Sequence, residues 1–197
     1  SYFTQPGLLE NSTICSATDR HGNVWFGTYH GASRFDGVNW FNLTLEDGLL
    51  NNKVNSIAVD SLDNVWFATD LGVARYDGNV LTTYTQLDGL VHDVVNSVAV
   101  DLTGNIWFGT YAGVSKYDGT NWTTYRKQDG LADYIIRVVA FDSRGNAWFG
   151  YVGGSGVTKF DGTNWTTYTQ QDGLIYNSVF SITEDKQGVM WFGTGNG

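Results

Sequence analysis

Nine side chains able to bind or to do chemistry sit where an otherwise recurring sequence changes. Tyr29, His30, Asp70, Tyr111 and Tyr151 fall in one series of short segments, and His92, Tyr134, Arg137 and Tyr176 in another, which also holds Asn51, Asn52, Asp93 and Asn177. Aromatic faces beside amide and charged groups suit sugar rings, because C–H patches stack on the ring face while hydroxyls take hydrogen bonds. His92 with Asp70 and Asp93 is the set that could do general acid–base work, provided the groups converge on one reacting atom. Nucleophile-elbow, phosphate-loop and zinc spacings are absent, and no His-x-Glu or Glu-x-His pairing occurs. The expected cofactor complement is therefore none. Cys15 is the lone cysteine, which rules out an internal disulfide and a thiolate metal cluster. Ser56, Ser97, Val138 and Ser181 stand at its place relative to the next Trp, so the position calls for a small packed side chain.

These segments must be held by a framework, and the composition says what kind. Of the 197 residues 42% are hydrophobic and only 16% charged, a balance that fits many short buried strands and excludes disorder. A net charge of -9, with eleven Lys and Arg scattered along the chain, would repel phosphate backbones and argues against nucleic acid as a partner. No apolar run approaches the roughly eighteen residues of a membrane span, so no membrane insertion by this chain is expected. Ser1 opens without the basic and apolar regions of a secretion signal, which is then either already removed or never present.

The framework is a repeat. Trp25-Phe26, Trp66-Phe67, Trp107-Phe108, Trp148-Phe149 and Trp191-Phe192 are separated by 41, 41, 41 and 43 residues. Asp36-Gly37, Asp77-Gly78, Asp118-Gly119 and Asp161-Gly162 form a second ladder, and Asp47, Asp88, Asp129 and Asp172 open a third, Asp-Gly-Leu. One repeat reads as four strands: Asn96–Val100, Ile106–Thr110, Gly113–Tyr117 and Trp122–Tyr125, joined by the turns Asp101–Asn105 and Asp118-Gly119. Consecutive hairpins give an antiparallel four-stranded sheet with too little core to stand alone. Stacking copies face to face buries the aromatic residues, which predicts an all-β fold, a β-propeller of four-stranded antiparallel blades. The repeats fall at 12–53, 54–94, 95–135 and 136–176 in a single domain, with a partial one at 177–197. Tyr2–Thr4 aligns with an outer strand, so the N-terminal strand at 1–5 is expected to complete the last of about five blades. The alternative is a fragment of a larger propeller, whose open edge would pair with another copy and make a homo-oligomer.

Framework and variable positions separate cleanly. Asp19, Asp60, Asp101, Asp142 and Asp185 each stand six residues before a Trp and lack the alternating ligands of a calcium loop, so they are read as turn caps. Arg34, Arg75, Lys116 and Lys159 recur in third strands, where long stems cover apolar surface and the charge can meet a turn Asp. The Trp of each Trp-Phe pair is assigned to the core, and Trp40, Trp122 and Trp165 to partly exposed outer strands. The nine variable residues belong to loops that share one rim of a propeller, as expected of a rigid scaffold presenting binding loops. His21 falls in a turn on the opposite rim.

The unit Gly-Asn-Ile/Val-Trp-Phe-Gly-Thr, then Gly-Val-Ser-Lys-Tyr-Asp-Gly-Thr-Asn-Trp-Thr-Thr-Tyr, then Asp-Gly-Leu resembles the two-component regulator propeller repeat, best over residues 95–174 and least at Asn79–Leu81, where Leu81 replaces the second Trp. The resemblance implies a bacterial, extracytoplasmic (periplasmic or secreted) sensor that is not an enzyme and binds an oligosaccharide or other small molecule. Family sensors typically carry many more repeats than this chain. Two other readings stand beside it. Streptogramin-lyase-like propellers are similar in appearance and place histidines, a carboxylate and a metal on the same rim. A protein-interaction or self-assembling propeller would use its flat faces or its unfinished blade.

Overall fold

The computed structural model describes residues 7–197. The expected N-terminal strand at Tyr2–Thr4 lies outside the described residues. Four meanders follow one another in chain order: β1 (Thr13–Thr18), β2 (Val24–Thr28), β3 (Ala32–Phe35) and β4 (Trp40–Leu43); β5 (Val54–Val59), β6 (Val65–Thr69), β7 (Gly72–Tyr76) and β8 (Leu81–Tyr84); β9 (Val95–Val100), β10 (Ile106–Thr110), β11 (Gly113–Tyr117) and β12 (Trp122–Tyr125); β13 (Ile136–Phe141), β14 (Ala147–Tyr151), β15 (Val157–Phe160) and β16 (Trp165–Tyr168). A two-stranded sheet of β17 (Val179–Glu184) and β18 (Met190–Thr194) completes the described chain. All observed pairings are antiparallel, as consecutive hairpins require. No helix among the described residues is long and apolar enough to cross a membrane. The chain divides into two compact units, Ser1–Val98 and Ala99–Gly197, with the boundary inside β9.

Within each unit, sheets stack through aromatic side chains. In the first, the Trp25 ring lies 5.4 Å from Phe67 and 5.9 Å from Tyr76 of the following sheet, both edge-on, and Phe41 stacks on Tyr76 at 5.8 Å. In the second, Trp107 meets Phe141 at 5.7 Å and Phe149 at 6.1 Å, and Trp148 meets Phe192 at 5.5 Å. The Trp of one sheet thus covers the Phe of the next. Close approach needs small residues in between: a Cβ on Gly109 would stand 2.7 Å from Ile136 Cγ2 and 2.9 Å from Val139 Cγ2. Trp25, Trp66, Trp107 and Trp148 are buried as the repeat pattern requires. Trp191 is not, keeping 60% of its surface exposed, because no described sheet follows β18 to cover it. Trp40, Trp122 and Trp165 are half-buried on the outer strands.

The turn aspartates explain why the Trp sits where it does. Asp142 accepts four hydrogen bonds: from Arg144 N at 3.1 Å, Asn146 N at 2.9 Å, Asn146 Nδ2 at 2.7 Å and the indole Nε1 of Trp148 at 2.9 Å. Asp19, Asp60 and Asp101 repeat the bonds to the Asn at i+4 and the Trp at i+6. One carboxylate therefore shapes the tight turn and satisfies the indole N–H. The long cations of the third strands lie over the same rings, with Arg34 at 5.6 Å from Trp25, Arg75 at 5.9 Å from Trp66, Lys116 at 5.3 Å from Trp107 and Lys159 at 5.8 Å from Trp148. Cys15 packs in the first sheet with its Sγ toward Val54 O, and burial pushes its thiol up to about 12. It is a packing residue with an inert thiol, as its small counterparts implied.

Replacing Asp142 by Ala leaves the Trp148 N–H buried without an acceptor, a cost of about 1–3 kcal/mol, read as a lowered urea midpoint relative to the parent protein. Acid should act through the same residues. Burial raises the carboxyls of Asp19, Asp101 and Asp142, but the hydrogen bonds from Asn, Trp and backbone N–H groups outweigh it and hold them below the ordinary 3.8. At exposed Asp36, Asp77, Asp118 and Asp161 backbone N–H bonds from the turn have the same effect. The folded values lie below the unfolded ones, so this stabilisation is complete above the unfolded value and is lost as the pH falls through the folded values. Urea midpoints measured from about pH 7 to about pH 2 should stay level down to the ordinary aspartate range and collapse beneath it.

Candidate functional site

The loops that lead from one sheet to the next are built by the Asp-Gly-Leu motif. In the first, Thr44 caps a 3-10 turn at Leu45–Asp47, Asp47 Oδ2 accepts from Thr44 N at 2.9 Å, Gly48 adopts φ 107°, and Leu49 is buried. Asp88, Asp129 and Asp172 make the same back-bond to Thr85, Arg126 and Thr169. A second clamp closes the loop from its far end. Asn52 Oδ1 accepts from Leu45 N at 2.8 Å, Asp93 Oδ1 from Gln86 N at 2.7 Å and Asn177 Oδ1 from Gln170 N at 2.7 Å. These three rim candidates are therefore structural.

In the first unit the expected site residues are committed to neighbours. His30 Nδ1 lies 3.1 Å from Glu10 Oε2, which also accepts from Tyr29 N at 3.1 Å, and the Tyr29 side chain remains exposed. Asp70 is held by Lys53 Nζ at 3.1 Å and by Asn55 Nδ2 at 2.7 Å. His92 Nδ1 accepts from Val94 N at 3.0 Å. The acid–base set of Asp70, Asp93 and His92 thus has an ion pair at one member, a loop clamp at the second and a local backbone bond at the third. At the other end of β2, His21 Nδ1 stands 2.7 Å from Asp63 Oδ2, and with Asp19 their ligand atoms lie within 4.8 Å of one another, a spacing that could hold a metal ion. Both Asp19 oxygens, however, already accept two hydrogen bonds each, from His21 N and Asn23 N and from Asn23 Nδ2 and Trp25 Nε1. The arrangement is a polar contact between two turns.

The second unit carries the more open surface. Tyr111, in the β10–β11 turn, is 47% exposed, and Tyr134 is 54% exposed. Gly113 N donates to Tyr134 O at 2.8 Å, which sets the two Tyr-bearing loops side by side. Tyr134 occupies the place of Asn52, Asp93 and Asn177, but a phenol cannot make their clamp. Its ring lies outside with Lys127 Nζ 5.5 Å from the centroid. Arg137 falls at the register shift between Ile136 and Val138 where β13 pairs with β14, a bulge that turns this residue out, and it is exposed. Tyr176 is exposed and lies beside Gly195.

Tyr151 is the correction. Expected on the rim, it has no exposed surface. It ends β14 pointing inward, its hydroxyl donating to Thr158 Oγ1 at 2.9 Å and accepting from Ala132 N at 3.1 Å, and burial pushes its phenol up to about 12. Val152 takes the exposed place next to it. Sequence reasoning also passed over Lys127, Arg126 and Glu10. The signal was present for the first two, because the corresponding residues elsewhere are Leu45, Gln86 and Gln170, and Thr44, Thr85 and Thr169.

Repeated four-stranded meanders that stack Trp on Phe and put their variable residues in the connecting loops define a β-propeller scaffold. The model of the two component regulator propeller family matches residues 7–30, 48–70 and 173–196. Among solved structures it is similar to the extracellular domain of a B. thetaiotaomicron protein described as a hybrid two component system, at 24% identity and TM-score 0.82 over 96% of this chain and 28% of that one. A second, described as a one component system of the same organism, aligns at 21% identity and TM-score 0.78 over 93% of this chain and 29% of that one. A streptogramin B lyase aligns at 17% identity and TM-score 0.76 over 98% of this chain and 65% of that one, a likeness of fold. The chain thus spans less than a third of each of these two extracellular domains. No curated protein sequence matches it.

Tyr151→Phe should lower the melting temperature, at a cost of about 1–2 kcal/mol for leaving Ala132 N and Thr158 without their shared partner, and Tyr151→Ala should cost more by opening a cavity. Calorimetry on the two variants checks the order.

Proposed function

We propose that this chain is a non-catalytic ligand-binding module of a bacterial extracytoplasmic sensor, and that its ligand is an oligosaccharide held on the surface around Tyr111, Tyr134 and Arg137. The observation that carries the reading is Tyr134. Three of the four described inter-sheet loops use this position to clamp themselves, and the fourth gives up the clamp to present an exposed ring in the loop beside that of Tyr111. A residue that departs from a stabilising framework while remaining accessible is what a binding loop on a rigid scaffold offers. The family of the repeats and the extracellular domains similar in fold support the cellular setting. The committed partners of Asp70 and Asp93 favour binding over catalysis.

Thermal unfolding against a panel of soluble oligosaccharides tests it, since a ligand of the folded state raises the midpoint with concentration. A shift of a few degrees that disappears in Tyr134→Ala and Tyr111→Ala, both unchanged in stability without sugar, is the expected result. A shift that survives both substitutions, or no shift with any sugar, would sink the assignment.

A further inference from the structure

We infer that this surface is specific for an anionic sugar, one carrying carboxylate or sulfate groups; the inference rests on the oligosaccharide reading above. The repeats provide their own baseline. At the four positions Arg126, Lys127, Tyr134 and Arg137 the other loops carry Thr, then Leu or Gln, then Asn or Asp, and then Asn or Phe. In the other three described loops none of these four places is basic and only Phe180 is aromatic, whereas here all four are basic or aromatic. Three cations are thereby gathered into twelve residues of a chain whose net charge is -9.

The geometry presents the charges outward. Arg126, Lys127 and Arg137 are exposed, and the bulge in β13 turns Arg137 out of the ladder. Lys127 lies over the Tyr134 ring at 5.5 Å, so an ammonium and an aromatic face are offered together. Two carboxylates share the loop and are engaged within it: Asp129 Oδ2 accepts from Arg126 N at 2.7 Å, and Asp133 accepts from Tyr134 N at 2.7 Å and Ser155 Oγ at 2.8 Å. Among the described residues no carboxylate lies within ion-pair distance of the three cations, which leaves the guanidinium and ammonium donors for a ligand. A guanidinium fork matches a carboxylate or sulfate in two parallel hydrogen bonds, while the pyranose C–H face stacks on the phenol. A neutral sugar would use the ring and leave the cations idle.

Titration calorimetry on the full chain with matched pairs of probes tests this: a galacturonic acid oligomer against its methyl ester, and a sulfated oligosaccharide against its desulfated form. The charged member of one pair should bind at least about tenfold more tightly, identifying carboxylate or sulfate as the recognised group. Its affinity should fall as NaCl rises from about 50 to about 500 mM, as expected for exposed charges. Arg137→Ala and Lys127→Ala should each weaken it about tenfold without lowering the melting temperature, and Arg137→Lys should keep part of the affinity. Equal binding of charged and neutral members, indifferent to salt, would overturn the anionic specificity while leaving an oligosaccharide site in place. Binding of no member of either pair, together with no shift in the wider sugar panel, would remove both.

Discussion

The hydrogen bond from each core indole to a turn aspartate is the interaction on which the scaffold depends. A Trp side chain brings a large apolar surface but also one N–H, and burying that donor unpaired would cancel much of what the ring contributes. The aspartate six residues earlier removes the difficulty and, with its second oxygen, closes the hairpin that leads into the Trp strand. Turn geometry and core packing are thereby coupled through one carboxylate. The coupling also fixes the ring's orientation, so that it meets the Phe of the next sheet edge-on or tilted.

Because each repeat carries the same bracket, the scaffold tolerates variation everywhere that the bracket does not reach. The inter-sheet loops have their own internal devices: the Asp-Gly-Leu aspartate bonds the start of the 3-10 turn, the Leu anchors the loop in the core, and an Asn or Asp ties down the far end. These devices overlap in function. When Tyr134 replaces the last of them, the Asp129 back-bond and the buried Leu131 still hold that loop. A spare constraint is what allows one loop to be given over to recognition without loss of the fold.

Charge is distributed by the same logic. The framework aspartates are spent on backbone and indole N–H groups, and the framework cations lie over Trp rings, so most of the ionic groups of the repeats are used in building them. What is left over differs between the units. In the first, Lys53 and Asp70 neutralise one another and His30 lies within hydrogen-bond distance of Glu10. In the second, Arg126, Lys127 and Arg137 remain exposed, and Lys127 lies over the Tyr134 ring.

A repeat of this regularity makes strand positions readable directly. The Trp-Phe ladder and the Asp-Gly turns place Ile106–Thr110, Gly113–Tyr117 and Trp122–Tyr125 to the residue, since alternation of side chains and turn chemistry are local and were the same in every copy. The turn role of the framework aspartates and the packing role of Cys15 were legible for the same reason. The candidate site was legible only as a set of loops. Tyr111 and Tyr151 look alike on paper, both close behind Trp-Phe-Gly, yet Tyr111 follows the strand-end Thr110 and is exposed, while Tyr151 takes the buried strand-end place of Thr28, Thr69 and Thr110 and is closed over by Ala132 and Thr158. Likewise Trp191 reads as core and is open, since burial belongs to the neighbouring sheet and not to the residue. The sequence by itself determined the strands, the turns and the repeat, all of which rest on contacts within about forty residues. Which loop side chains turn outward, and which of them come together, was decided by the tertiary structure, because those choices rest on bonds between separate loops, such as Ala132 with Tyr151 and Gly113 with Tyr134, that no repeating local pattern sets.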